Sequence, residues 1–256
     1  MTGSRRRKLG VFEGSDMSRH GRLNGCLAAL FSLGLAPAVF AQPEHLRALS
    51  DWIAHQQEAA KFFRNGDLSG AEDRLKAAIE DIRPYLPETR RIMARNYCEL
   101  AHVLYCQRRF DEAEPLARWA LSVRDGDRKA TPDAVLQCLY VLAQIQSARK
   151  NYAEAEQLHL RSLAIQEKIG GRDDISSIAI LDQLAIVYIE QTKYSHAESL
   201  YLRSIAILQR NAPAGYLELA KTAEKYAILL RLMKRNDEAD RWHNRAIEIR
   251  ETGVPN

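Results

Sequence analysis

Cys98, His102 and Cys106 stand at i, i+4 and i+8, a spacing that lines two sulfurs and an imidazole along one stripe of a single helix. These are ligand types for zinc or another soft ion. Neighbouring members of the stripe lie about 6 Å apart along the helix axis, so adjacent pairs can chelate. The outer cysteines, about 12 Å apart, cannot share one ion or one disulfide. No CxxC or HxxxH pair completes a four-ligand set. Two readings follow: a metal or haem carrier built on Cys98, His102 and Cys106, or ordinary packing of small sulfur side chains beside a hydrogen-bonded histidine. A bridge from Cys138 to Cys98 also stays open. The chain has no Gly-rich phosphate loop, no GxSxG elbow and no HExxH pair, so no catalytic residue and no cofactor is expected. His159 and His243 occupy equivalent points of two helices and His196 opens a third; all three read as surface residues, and Trp119 as packing.

The elements that must carry such residues follow a leader. Residues 1–41 read as a secretory signal: a basic stretch ending with Arg19 and Arg22, an apolar run from Cys26 to Leu35, then Pro37 and the small-residue end Val39-Phe40-Ala41. Cleavage is expected after Ala41, and Met1 and Met17 are both candidate starts. The apolar run falls short of the roughly 20 residues that span a bilayer, and no other segment approaches that length. Leu23-Asn24-Gly25-Cys26 precedes the apolar run instead of closing it, so lipidation is not expected. The leader holds six of the 37 Lys and Arg and two of the 33 Asp and Glu, which leaves 31 of each in the remainder. A neutral body argues against a nucleic-acid partner, whose phosphates need clustered cations. Cys98, Cys106 and Cys138 remain after cleavage, an odd number that rules out a disulfide-built fold.

One register then recurs without an insertion. Ala59, Ala101, Ala143, Ala185 and Ala227 are each 42 residues apart, and Ala71, Ala113, Ala155, Ala197 and Ala239 follow them by 12. Each alanine of the second set precedes an acid: Glu72, Glu114, Glu156, Glu198 and Asp240. Helical apolar spacing surrounds the first alanine, as in Leu181, Leu184, Ala185 and Tyr188 (helix A), and the second, as in Tyr201, Ser204, Ile205 and Ile207 (helix B). Short polar turns such as Lys150-Asn151 join A to B, with Phe110, Tyr152 and Tyr194 entering helix B, so the two helices must be antiparallel. Closely crossing helices leave room for nothing larger than alanine at the contact. Thr131-Pro132-Asp133 offers helix-start chemistry, while Gly170-Gly171 stops a helix and Asp173 or Asp174 can cap the next. A lone hairpin buries too little, so the hairpins must stack.

The phrases Leu184-Ala185, Lys193-Tyr194, Ala197-Glu198 and Arg203-Ser204-Ile205-Ala206-Ile207, at a 42-residue period, resemble tetratricopeptide repeats of the kinesin light chain type. The resemblance covers about residues 50 to 251, with Leu68 and Asn236 standing where the turn aromatic falls in the other repeats. It implies a concave groove, formed by the A helices, that binds peptides or protein segments without catalysis. Carried onto this sequence, the groove positions are Arg95, Cys98, His102 and Tyr105 in repeat two, Tyr140 and Gln144 in repeat three, and Asp182, Glu190, Lys221, Glu224 and Arg231 in repeats four and five. The family usually has asparagine where Cys98, Tyr140, Asp182 and Glu224 fall, so its peptide specificity does not carry over.

The expected fold is all-α: a right-handed α-solenoid of about five hairpins. A signal peptide (1–41) and a short lead-in (42–50) precede repeats at about 51–86, 87–130, 131–172, 173–214 and 215–252, with a tail at 253–256. The expected function is a protein- or peptide-binding adaptor or scaffold in a periplasmic or secreted compartment, with no cofactor, no nucleic-acid partner and no membrane span after cleavage.

Overall fold

The computed structural model describes residues 43–85, 89–211 and 215–252, so the leader and the tail at 253–256 lie outside the described residues. Ten α-helices follow one another: α1 (Pro43–Arg64), α2 (Leu68–Ile82), α3 (Arg90–Cys106), α4 (Phe110–Asp125), α5 (Pro132–Ala148), α6 (Tyr152–Gly170), α7 (Ile178–Glu190), α8 (Tyr194–Arg210), α9 (Tyr216–Leu232) and α10 (Asn236–Thr252). Short 3-10 turns at Arg83–Tyr85 and Ile175–Ser177 follow α2 and precede α7, and no strand occurs among the described residues. The fold is an all-α solenoid of helical hairpins, with odd-numbered helices as A and even-numbered as B. Residues up to Asn96 and from Tyr97 onward form two compact units. In the first, α1 packs on α2, and the side chains of Trp52 and Gln56 donate to the buried Asn96. In the second, each helix from α4 to α9 packs on the next in sequence.

All ten alanines of the 42-residue register are buried. They set the contact between paired helices, where a larger side chain would push the axes apart. Helix ends are fixed locally. Thr131 caps α5 by accepting from the Ala134 amide, with Pro132 in the first helical turn. Asp174 accepts from the Ser176 amide and from Gln166, bending the chain from α6 into α7.

The turn inside each hairpin repeats to the residue. Gly66, Arg108, Lys150, Thr192 and Lys234, again 42 apart, all have positive φ between 58° and 78°. The next residue's amide reaches back five residues to a helix carbonyl: Arg109 to Leu104, Asn151 to Gln146, Lys193 to Tyr188 and Arg235 to Leu230. This left-handed cap satisfies carbonyls that the helix end would orphan. Only Gly66 adopts it without a Cβ penalty.

Three of the acids that follow second-set alanines, Glu114, Glu156 and Glu198, tie successive hairpins of the second unit together. Glu114 accepts from Gln146 of the next A helix at 2.9 Å. Glu156 accepts from Gln191 and Lys193, both at 3.0 Å, and Glu198 from Tyr226 at 2.8 Å and Arg235 at 2.6 Å. Burial alone would raise the Glu156 carboxyl, but these donors outweigh it and hold it below the ordinary range.

Two substitutions should move stability in opposite directions. Ala143→Leu overpacks the α5 contact and should cost about 1–3 kcal/mol in urea unfolding. Thr192→Gly relieves a β-branched residue of the left-handed conformation and should add about 0.5–1 kcal/mol, the relief less the chain entropy of glycine. A neutral or stabilising Ala143→Leu, or a destabilising Thr192→Gly, would contradict this reading of the contacts.

Candidate functional site

Because the odd-numbered helices share one register, equivalent residues line up from repeat to repeat. In repeats two to five the position after the helix A alanine holds His102, Gln144, Ile186 and Ile228. Side chains on this face touch across repeats. The Tyr105 hydroxyl donates to Gln144 Oε1 at 3.4 Å, and Gln144 Nε2 donates to Gln183 Oε1 at 2.9 Å, so one ladder joins α3, α5 and α7. The His102 ring lies 6.4 Å from both Tyr105, stacked, and Tyr140, edge-on. Tyr140 is 45% exposed, so its ring face is open to an occupant. Further along, Ile186 and Ile228 are 41% and 57% exposed and make the same face aliphatic. Aromatic, amide and aliphatic groups in sequence suit an extended polypeptide, which offers both backbone polar groups and alternating side chains.

The other expected groove residues are distributed unevenly. Arg95 is exposed on the part of α3 that belongs to the first unit. Cys98 is fully buried in the core, hydrogen-bonded to Cys138; that bond, then burial, pushes its thiol far up, so it stays protonated. The two are free thiols and not a disulfide. Cys106 is exposed while His102 is half-buried, so the stripe is not assembled as a ligand set, and no three His, Cys, Asp or Glu converge on a metal position among the described residues. Asp182 is buried as well; burial raises its carboxyl although Lys225 Nζ contacts it at 2.5 Å. Glu190 accepts from Tyr152 (2.9 Å), Lys221 pairs with Glu218 (3.0 Å), Glu224 with Arg250 (2.6 Å) and Arg231 with Asp240 (3.3 Å).

A cavity of about 240 Å³ opens between α5, α6 and α7 beside Tyr140. Its deepest side chains are His159 and Ser162, both buried, and its walls include Leu136 and Ile180. His159 corrects the surface reading: the B helix turns it inward, and it is only 2% exposed. His243 is half-buried and only His196 is exposed, its ring 5.2 Å from that of Tyr188. Sequence inspection missed Gln183, Ile186, Ile228 and the inward turn of His159. The isoleucines were findable by reading the 42-residue register one position past the helix A alanines.

Hairpins in this order, with this face, define the class, and residues 135–210 match the family model of the tetratricopeptide repeat. That segment is a tetratricopeptide-repeat match, and the fold of the chain is similar to that of kinesin-light-chain-like repeat structures. The structure of BtubC from P. vanneervenii is 18% identical, with a TM-score of 0.68 over 92% of this chain and 89% of that one. A putative kinesin light chain of Podospora anserina with nearly identical repeats is 20% identical, TM-score 0.66, over 83% and 99%. A Rap protein complexed with Competence and Sporulation Factor is 15% identical, TM-score 0.65, over 93% and 66%. At these identities the likeness is one of fold. No curated protein matches the sequence.

Burial holds the His159 imidazole down at about 4, against an ordinary 6.5. Between those values the unfolded chain binds a proton that the folded chain does not, so stability is complete above about pH 6.5 and falls as the pH drops toward 4. The contribution lost between pH 7 and 4.5 should be about 2–3 kcal/mol. His159→Gln should flatten the pH profile of urea unfolding by that amount; a variant whose profile runs parallel to the parent's would contradict the assignment.

Proposed function

We propose that this chain is an exported, non-catalytic adaptor that holds an extended segment of another protein along its A-helix face, from His102 through Tyr140, Gln144 and Ile186 to Ile228. The single observation that carries the reading is this face itself. Three consecutive A helices of the second unit, α3, α5 and α7, place hydrogen-bonding side chains and an exposed tyrosine in line, and α7 and α9 continue the row with exposed isoleucines. Exposed aromatic and aliphatic side chains with unfilled amide valences are the composition of a recognition surface and are not needed for folding.

Further support comes from the comparisons. Tetratricopeptide repeats generally serve as non-catalytic scaffolds, and the Rap structure of the same fold is a complex with Competence and Sporulation Factor. Export is supported by the leader at residues 1–41, and a protein partner, as against a nucleic acid, by the 31 basic and 31 acidic residues outside the leader. No described helix is long and apolar enough to cross a membrane.

Pairing Tyr140→Ala with Ile186→Glu, two exposed positions, should leave thermal unfolding within a few degrees of the parent while recovery of the partner by crosslinking in cells falls at least about tenfold. Undiminished recovery would remove the A-helix face from the account. Mass analysis of the cell-associated protein should find Gln42 as the first residue; a retained leader would remove the exported compartment and leave the surface untouched.

A further inference from the structure

The cavity between α5, α6 and α7 combines features that packing alone does not require. His159 is nearly inaccessible, yet no hydrogen bond or ion pair joins it to another described residue, and burial is the sole cause acting on its protonation. Neither ring nitrogen is among the fully buried polar atoms, so both keep access through the cavity, where an imidazole with no protein partner is placed to hydrogen-bond an occupant. Ser162, beside it, already donates to the Leu158 carbonyl at 2.9 Å and retains only acceptor capacity. Leu136 and Ile180 make the walls apolar, and the exposed ring of Tyr140 stands at the rim.

These features select an occupant. At about 240 Å³ the space lies below the roughly 300–1,000 Å³ of ordinary small-molecule pockets, so it fits one side chain and not a nucleotide or a haem. No charged side chain lines it, so an ammonium or a carboxylate would enter without a counter-charge. A purely aliphatic or phenyl group would fill the walls and leave the imidazole unsatisfied. A flat apolar ring ending in one hydroxyl meets both demands.

We propose that this cavity is a binding site for a phenol, namely a tyrosine side chain of the bound polypeptide, with its ring between Tyr140 and the walls and its hydroxyl hydrogen-bonded to His159. The tyrosine as source rests on the A-helix face being a polypeptide surface; the phenol site itself does not. No proton is transferred, and the neutral imidazole accepts from the hydroxyl or donates to it.

The test uses the full chain as expressed, titrated with p-cresol and with toluene while the ring signals of its histidines are followed by NMR. The cavity should take p-cresol with a dissociation constant at least about tenfold below that of toluene, the ratio of one net hydrogen bond, and the His159 ring signals should shift on binding. His159→Phe should abolish the preference; should that variant fold poorly, the His159 signals of the parent decide alone. Equal affinity for the two probes, or p-cresol binding that leaves the His159 signals unmoved, overturns the proposal. N-acetyl-tyrosinamide against N-acetyl-phenylalaninamide repeats the comparison in peptide form. Because the small-molecule arms need no partner, a failure to recover a partner from cells would sink the adaptor reading while leaving the phenol site standing.

Discussion

Close contact between paired helices is the constraint on which this molecule rests. An alanine at each crossing lets the two helices of a hairpin approach, and the constant interval of 42 residues makes the approach recur at the same place on every helix. The left-handed turn at Arg108, Lys150, Thr192 and Lys234 reverses the chain by the same number of residues each time, so no slack accumulates. The acids at 114, 156 and 198 then accept hydrogen bonds from the end of the following A helix or its turn. Sequence register, helix contact and hairpin order are therefore one fact seen at three levels.

That regularity makes a surface. When every A helix meets its B helix in the same register, the residues just past the helix A alanine are aligned across repeats and freed from core packing. Evolution can write on them without disturbing the stack, which is how His102, Gln144, Ile186 and Ile228 come to differ so widely in chemistry while sharing one position. The face changes from aromatic and amide-rich at α3 and α5 to aliphatic at α7 and α9, so a bound segment would have a preferred direction.

The architecture was legible because its signals are local and repeated: ten alanines, the capping residues Thr131 and Asp174, and the paired glycines that end α6. The left-handed turns were not, because Arg108, Lys150 and Lys234 carry no turn preference; the chain imposes the conformation through the bond from the next amide. Side-chain direction was harder still. The family resemblance implies groove positions for Cys98 and Asp182, yet Cys98 lies against Cys138 and Asp182 against Lys225, and both are buried. His159 and His243 are equivalent in sequence but not in burial, since α7 follows α6 and covers it while α10 is the last described helix. Spacing along one helix says nothing about what the next hairpin covers.

The claim that function lies on the A-helix face is tested most directly by placing a photo-crosslinking phenylalanine analogue at Ile228 or at Leu202, two exposed apolar positions, the first on an A helix and the second on a B helix. Irradiation in cells should attach one discrete polypeptide to the protein labelled at Ile228 and none to that labelled at Leu202. Equal attachment at both, or attachment at Leu202 alone, would contradict the account.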